Sequence, residues 1–153
     1  STFKVVTATA ALDAQLVRRA EATLELANSG SLDPASALLL AGAASDSLEA
    51  DAEPHTTREA IESDLTQALE VALGDVALRH LREDEAVGAP VVQRVAAANQ
   101  RVQLARRFLN DAVTDVRRVR RKPGVRLLRL AGHAELPQTF EIDDELPMLG
   151  RGA

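Results

Sequence analysis

The sequence predicts an all-α protein: an antiparallel up-down four-helix bundle with a short fifth helix and an extended acidic tail. Three observations carry that expectation. Between Pro90 and Lys122 the apolar residues Val91, Val95, Ala98, Val102, Ala105, Leu109, Ala112, Val116 and Val119 recur in alternating steps of four and three, the seam of a helix packed lengthwise against others. Trp and Tyr are absent and Phe occurs three times, so the core must be built from aliphatic seams with close helix approach. The links between periodic segments are only a few residues long, and helices joined so tightly return antiparallel.

From Thr2 to Asn28, the residues Val5, Ala8, Leu12, Leu16, Ala20, Leu24 and Ala27 recur at helical spacing. Ser29-Gly30-Ser31 closes this first helix, with Gly30 suited to a left-handed C-terminal cap. Asp33 before Pro34 reads as an N-cap with proline at the first helical position, opening a shorter helix to about Ala50. Asp51 to His55 reads as a loop, and Thr56 with Glu59 three residues on makes a capping box. The third helix is expected to run unbroken to about Arg82, burying Ile61, Leu65, Leu69, Ala72, Val76 and His80. After a loop from Glu83 to Ala89, Pro90 starts the seam helix, which Pro123-Gly124 ends. A short apolar helix is expected at Val125 to Ala131, and the acidic chain from Gly132 onward is extended. The division is therefore a bundle over 1–131 and an extended, flexible tail over 132–153. In this topology the start of the first helix and the end of the fourth lie together.

A chain of 153 residues makes one domain, burying roughly 68–70% of its unfolded surface. The net charge of -5 hides an asymmetry, because nine of the eighteen Lys and Arg residues lie between Arg106 and Arg129. The absence of cysteine rules out disulfides, thiolate nucleophiles and Cys-ligated metals and leaves the compartment open. No run approaches the roughly 18 apolar residues of a membrane span, and the start at Ser1 rather than Met reads as an N-terminally trimmed chain.

Little in the sequence points to catalysis. A di-metal centre in a helical bundle needs Glu three residues before His, so that both ligands project from one face. None of His55, His80 and His133 has one. There is no Gly-x-Ser-x-Gly turn and no phosphate-binding loop. Glu59, Glu62 and Asp64 read as the solvated face and first turn of the third helix, where acids favour the helix dipole. The expectation is a protein that is not an enzyme, with no catalytic residue, cofactor, metal or small-molecule substrate.

At ARRFLNDAV, from Ala105 to Val113, the chain resembles the LemA family, whose last long helix carries an Arg, aromatic, Asn-Asp-Ala-Val pattern. The preceding AANQRVQLARR is similar in register, and LDAQLVRRA from Leu12 to Ala20 resembles the family's first helix. Lys122-Pro123-Gly124-Val125 and Phe140 fall where that family has a proline-started turn and a late aromatic. Leu109 stands where it has Tyr, and Val116-Arg117 where it has Tyr-Asn. The resemblance implies a four-helix bundle attached to a bacterial membrane by one N-terminal span, in a family without an assigned enzymatic activity.

Two candidate sites follow. Arg117, Arg118, Arg120, Arg121 and Lys122 form a basic cluster expected at the N-terminal end of the bundle. Its plainer reading is a helix C-terminus stabilised by cations, each contributing about 0.3–1 kcal/mol. Its functional reading is an anionic surface contact: beneath a span entering before Ser1, each cation near anionic lipid contributes about 1 kcal/mol. Cations flanking a span also favour the cytoplasmic side. Net negative charge and the lack of Tyr and Trp argue against nucleic acid. The second candidate is the tail, with Phe140, Ile142 and Leu146 among acids. It is expected to fold back on the bundle by default, with pairing to the arginine cluster or partner binding as alternatives. The expected function is a membrane-tethered scaffold or adaptor for protein partners; the alternative is a regulator binding anionic polymer or lipid through the arginines.

Overall fold

The computed structural model describes residues 2–120 and 137–150. These are helical throughout except for turns and one extended segment: α1 (Thr2–Ala27), α2 (Pro34–Glu49), a 3-10 turn (Ala50–Ala52), α3 (His55–Ala72), α4 (Asp75–Glu83), α5 (Gly88–Arg120) and a last turn, α6 (Pro147–Gly150). The protein is all-α, with no strand among the described residues. The short helix expected at Val125 to Ala131 lies outside them.

Helix α1 packs along both α5 and α2, α2 packs on α3, and α4 on α5. An ion pair between Glu25 and Arg94 marks one end of the α1–α5 contact, while Phe3 and Asp115 line a common groove at the other. The two helices are therefore antiparallel, and the basic end of α5 lies beside the start of α1. Every seam residue from Val91 to Val116 is buried, whereas Val119 is exposed.

Local chemistry explains most boundaries. Gly30 takes φ +78° in the turn after α1, a left-handed conformation that costs glycine least. The Asp33 carboxylate accepts from the Ser36 N–H at 3.0 Å, capping α2. Hydrogen bonding to the Ser36 side chain, and then to its N–H, holds the Asp33 carboxyl below its ordinary pKa. The capping box expected at Thr56 and Glu59 does not form. Helix α3 starts two residues earlier than a Thr56 cap implies, at His55, behind Pro54 and without a side-chain cap. Glu59 instead accepts from the Glu141 N–H at 2.5 Å.

The unbroken third helix is also corrected. Leu73 leaves helical geometry at φ -101°, ψ 46°, and Gly74, extended at ψ 165°, caps a new helix. Glycine costs a helix interior about 1 kcal/mol relative to alanine, and Leu73 gains by entering the core at the break. The break changes which face of the following helix is inward. Helix α4 buries Leu78 and Leu81, leaving Val76 and His80 on the surface.

Helix α5 begins at Gly88, two residues before the expected Pro90, which sits in a first turn that needs no N–H from it. Gly88 is required by close approach: a Cβ there would stand 2.3 Å from the Leu81 carbonyl oxygen.

The core has two apolar clusters. One gathers Leu12, Leu16, Val102, Leu109, Val113 and Phe140. The other is larger and includes Leu26, Leu40, Leu65, Leu69, Leu81, Val95 and Leu146. Each of α1, α5 and the tail contributes to both clusters, and between its contributions each places a buried polar residue: Arg19, Asn99 and Asp144.

Candidate functional site

That polar layer joins α1, α2, α3, α5 and the tail. Arg19 and Glu62, both 0% exposed, form an ion pair with Nη2 2.9 Å from Oε2. The same nitrogen donates to the Glu62 main-chain carbonyl at 2.9 Å, while Nη1 donates to Thr66 Oγ1 at 2.8 Å and Asn99 Oδ1 at 3.2 Å. Ser47 of α2 donates to the other Glu62 oxygen at 2.5 Å. Glu62 is therefore a core residue and not part of the solvated face expected for it. Burial pushes the Arg19 guanidinium below its ordinary pKa, and the charge of Glu62 opposes that push.

Asn99 carries the layer to the tail, its Nδ2 donating to the Asp144 carbonyl at 2.8 Å, and Gln103 Nε2 donates to the same oxygen at 2.8 Å. The Asp144 carboxylate accepts from Arg106 Nε at 2.6 Å and Nη2 at 3.3 Å. The hydrogen bond to Asp144 holds the Arg106 guanidinium above its ordinary pKa. Closer to the chain's last turn, Arg82 Nη2 donates to the Met148 carbonyl at 3.3 Å.

The tail occupies the groove between α3 and α5. It runs parallel to α3, where Thr139, Glu141 and Asp143 meet His55, Glu59 and Ser63 in turn. It runs antiparallel to α5, where Pro137, Phe140 and Asp144 meet Arg117, Asn110 and Asn99. Of the candidate partner segment, Phe140 and Leu146 are 3% and 6% exposed within this chain, and Ile142 packs beside Phe140's cluster. In this structure their apolar surface is covered by the bundle. The His55 ring meets Phe140 edge-on at 5.5 Å.

Of the basic cluster, Arg117 is half-buried and donates from Nε to the Pro137 carbonyl at 3.0 Å, so it holds the tail. Arg118 is exposed, and Arg120 is the last described residue of α5. Arg121 and Lys122 lie outside the described residues.

A second surface feature was not foreseen. The α1–α5 contact leaves a groove of about 650 Å³ lined by Phe3, Ala8, Ala11, Leu104, Ala105 and Phe108 among others. Phe3, Leu104 and Phe108 are 80%, 55% and 63% exposed. Two of the chain's three phenylalanines thus stand on one open apolar face.

Among the described residues no three His, Asp or Glu side chains converge as metal ligands, and no helix is long and apolar enough to cross a membrane. The fold and this site define an all-helical protein with a buried ion-paired layer, a groove filled by its own extended segment, and an exposed apolar face. Compared with protein-family models, curated proteins and solved structures, the chain matches none.

Proposed function

We propose that this chain is a non-enzymatic interaction module, an antiparallel up-down helical bundle acting as a scaffold or adaptor whose α1–α5 groove takes one amphipathic helix of a partner protein. The observation that carries the reading is the apolar groove with Phe3, Leu104 and Phe108 standing open along it. Burying apolar side chains of this size is worth about 1.5–3 kcal/mol each, enough to give them the role of interface anchors. Charged residues at the groove, Lys4, Arg101, Asp111 and Asp115, supply the polar rim such an interface needs. The LemA resemblance adds a membrane tether preceding α1, and the cations that would flank it favour the cytoplasmic side over the extracytoplasmic one. Lys4 and Arg118 would then lie at the end facing the bilayer.

The test is a photo-crosslinking amino acid placed at Phe108 in the complete gene product in its own cells, with Glu70 on α3 as the control position. A discrete adduct from position 108, lost on Leu104→Glu and absent from position 70, supports the reading. Equal or no adducts at the two positions contradict it. Membrane fractionation of the same product tests the tether.

A second reading, binding of anionic polymer or lipid through Arg117, Arg118, Arg120, Arg121 and Lys122, has the exposed Arg118 in its favour. It requires association that falls steeply with salt and is abolished by charge reversal at the four arginines.

A further inference from the structure

The bundle grips its own tail chiefly by the main chain. Asn110 holds both polar groups of Phe140: its Oδ1 accepts from the N–H at 2.9 Å and its Nδ2 donates to the carbonyl at 3.3 Å. Asn99 and Gln103 converge on the Asp144 carbonyl, Arg117 takes the Pro137 carbonyl, and Glu59 and Ser63 accept from the N–H groups of Glu141 and Asp143. An extended segment brings unpaired N–H and C=O groups into any groove, and each must find a partner. In a sheet the neighbouring strand supplies them; here side chains from two helices do.

Main-chain contacts of this kind are indifferent to the side chains of the segment that is held. Selection then rests on the side chains that are enclosed. Three are: Phe140, Asp144 on Arg106, and Leu146, with Ile142 half-covered between them. Glu141, Asp143 and Glu145 face solvent. Recognition of an extended peptide by main-chain hydrogen bonds for affinity and spaced side-chain pockets for specificity has this division of labour.

We propose that the α3–α5 groove is a recognition site for an extended segment of a partner protein with the pattern Phe-x-x-x-Asp-x-Leu, and that residues 140–146 of this chain occupy it as an intramolecular competitor. Because residues 140–146 belong to the same chain, they compete intramolecularly, and a partner segment gains access when the cis contact weakens. This groove lies on a different face from the α1–α5 groove, so the two readings fail separately.

The probe is a fluorescein-labelled peptide of residues 137–150, titrated with the full chain and followed by anisotropy. The Asp144→Ala chain, whose cis segment has lost its charged anchor, is expected to bind it one-to-one and at least about tenfold more tightly than the wild type. Adding Arg106→Ala or Asn110→Ala in that background is expected to remove the gain. Asp144→Asn, which keeps the shape of the side chain and removes its charge, serves as a second weakened chain should Asp144→Ala lose its helical circular dichroism. Absence of binding at about 1 mM peptide to a folded weakened chain overturns the proposal. So does equal binding by wild type, weakened and groove-altered chains, which puts the peptide elsewhere. A concentration-dependent dimer of the weakened chain, lost on Arg106→Ala, assigns the groove to a second copy's tail and overturns the partner assignment.

Discussion

Arg19 Nη2 lies 2.9 Å from Glu62 Oε2 with neither residue exposed to solvent, and this pair is the hub through which four helices and the tail meet. Removing two charges from water costs several kcal/mol per ion, which a single contact repays only when the remaining hydrogen bonds are made. Here Ser47, Thr66 and Asn99 make them. Within the pair, Arg19 Nε is the polar side-chain atom left without a hydrogen-bond partner among the described residues. Glu62→Ala leaves the guanidinium buried and unpaired and is expected to cost about 3–5 kcal/mol in urea unfolding. The double change Arg19→Met with Glu62→Leu is expected to be near neutral or stabilising. If the double variant were as damaged as the single, the pair would be contributing net stability by itself. The lowered pKa of Arg19 has a definite sign: burial of the cation opposes folding at neutral pH, and that penalty eases only as pH rises into the alkaline range.

Two glycines separate close approach from helix propensity. Gly88→Ala puts a methyl group 2.3 Å from the Leu81 carbonyl oxygen and is expected to destabilise by about 1–3 kcal/mol, since main chain must move. Gly42, inside α2, has open space where a Cβ would stand, with nothing within 4 Å, and is expected to gain roughly 0.5–1 kcal/mol as alanine. Denaturant midpoints of the two variants should move in opposite directions.

The Asp33 cap predicts a pH dependence. Its folded pKa is depressed by hydrogen bonding to Ser36, so its contribution is present above the ordinary value of 3.8 and is lost as pH falls through the folded value. Asp33→Ala should therefore melt at a lower temperature than wild type at neutral pH. The two curves should converge in acid below the ordinary carboxylate range.

Phe140 ties the tail to the core. Phe140→Ala is expected to cost about 3–5 kcal/mol, the usual range for emptying a buried aromatic site. A tail that merely lay on the surface would lose well under 1 kcal/mol in the same thermal or chemical melt.

The α-helical class and the α5 seam were legible because apolar spacing and short links are local signals. The seam positions from Val91 to Val116 are all buried. The break at Gly74 was less legible, since one glycine inside an apolar pattern is tolerated in many helices and only the packing of Leu73 decides against continuity here. The polar layer was missed for a reason of register. Reading the first helix as Leu12, Leu16, Ala20 and Leu24 follows steps of four; Leu12, Leu16, Arg19, Thr23 and Leu26 follow the alternating steps used for α5 and put Arg19 in the seam. Glu62 likewise stands four before Thr66 and three before Leu65, both buried. A charged residue at a seam position was the available signal. Its partner was not, because the pairing spans 43 residues of sequence. The α1–α5 groove depends on how far two helices diverge, which no local pattern records.

Amide hydrogen exchange at Phe140, Glu141 and Asp143 tests most directly whether the tail completes the bundle. Their N–H groups donate to Asn110, Glu59 and Ser63. The expected result is strong protection of all three in the wild-type chain, lost in Asp144→Ala while the amide of Val102 on α5 stays protected. Exchange of the three amides at the rate of an unstructured peptide in the wild type would contradict the account.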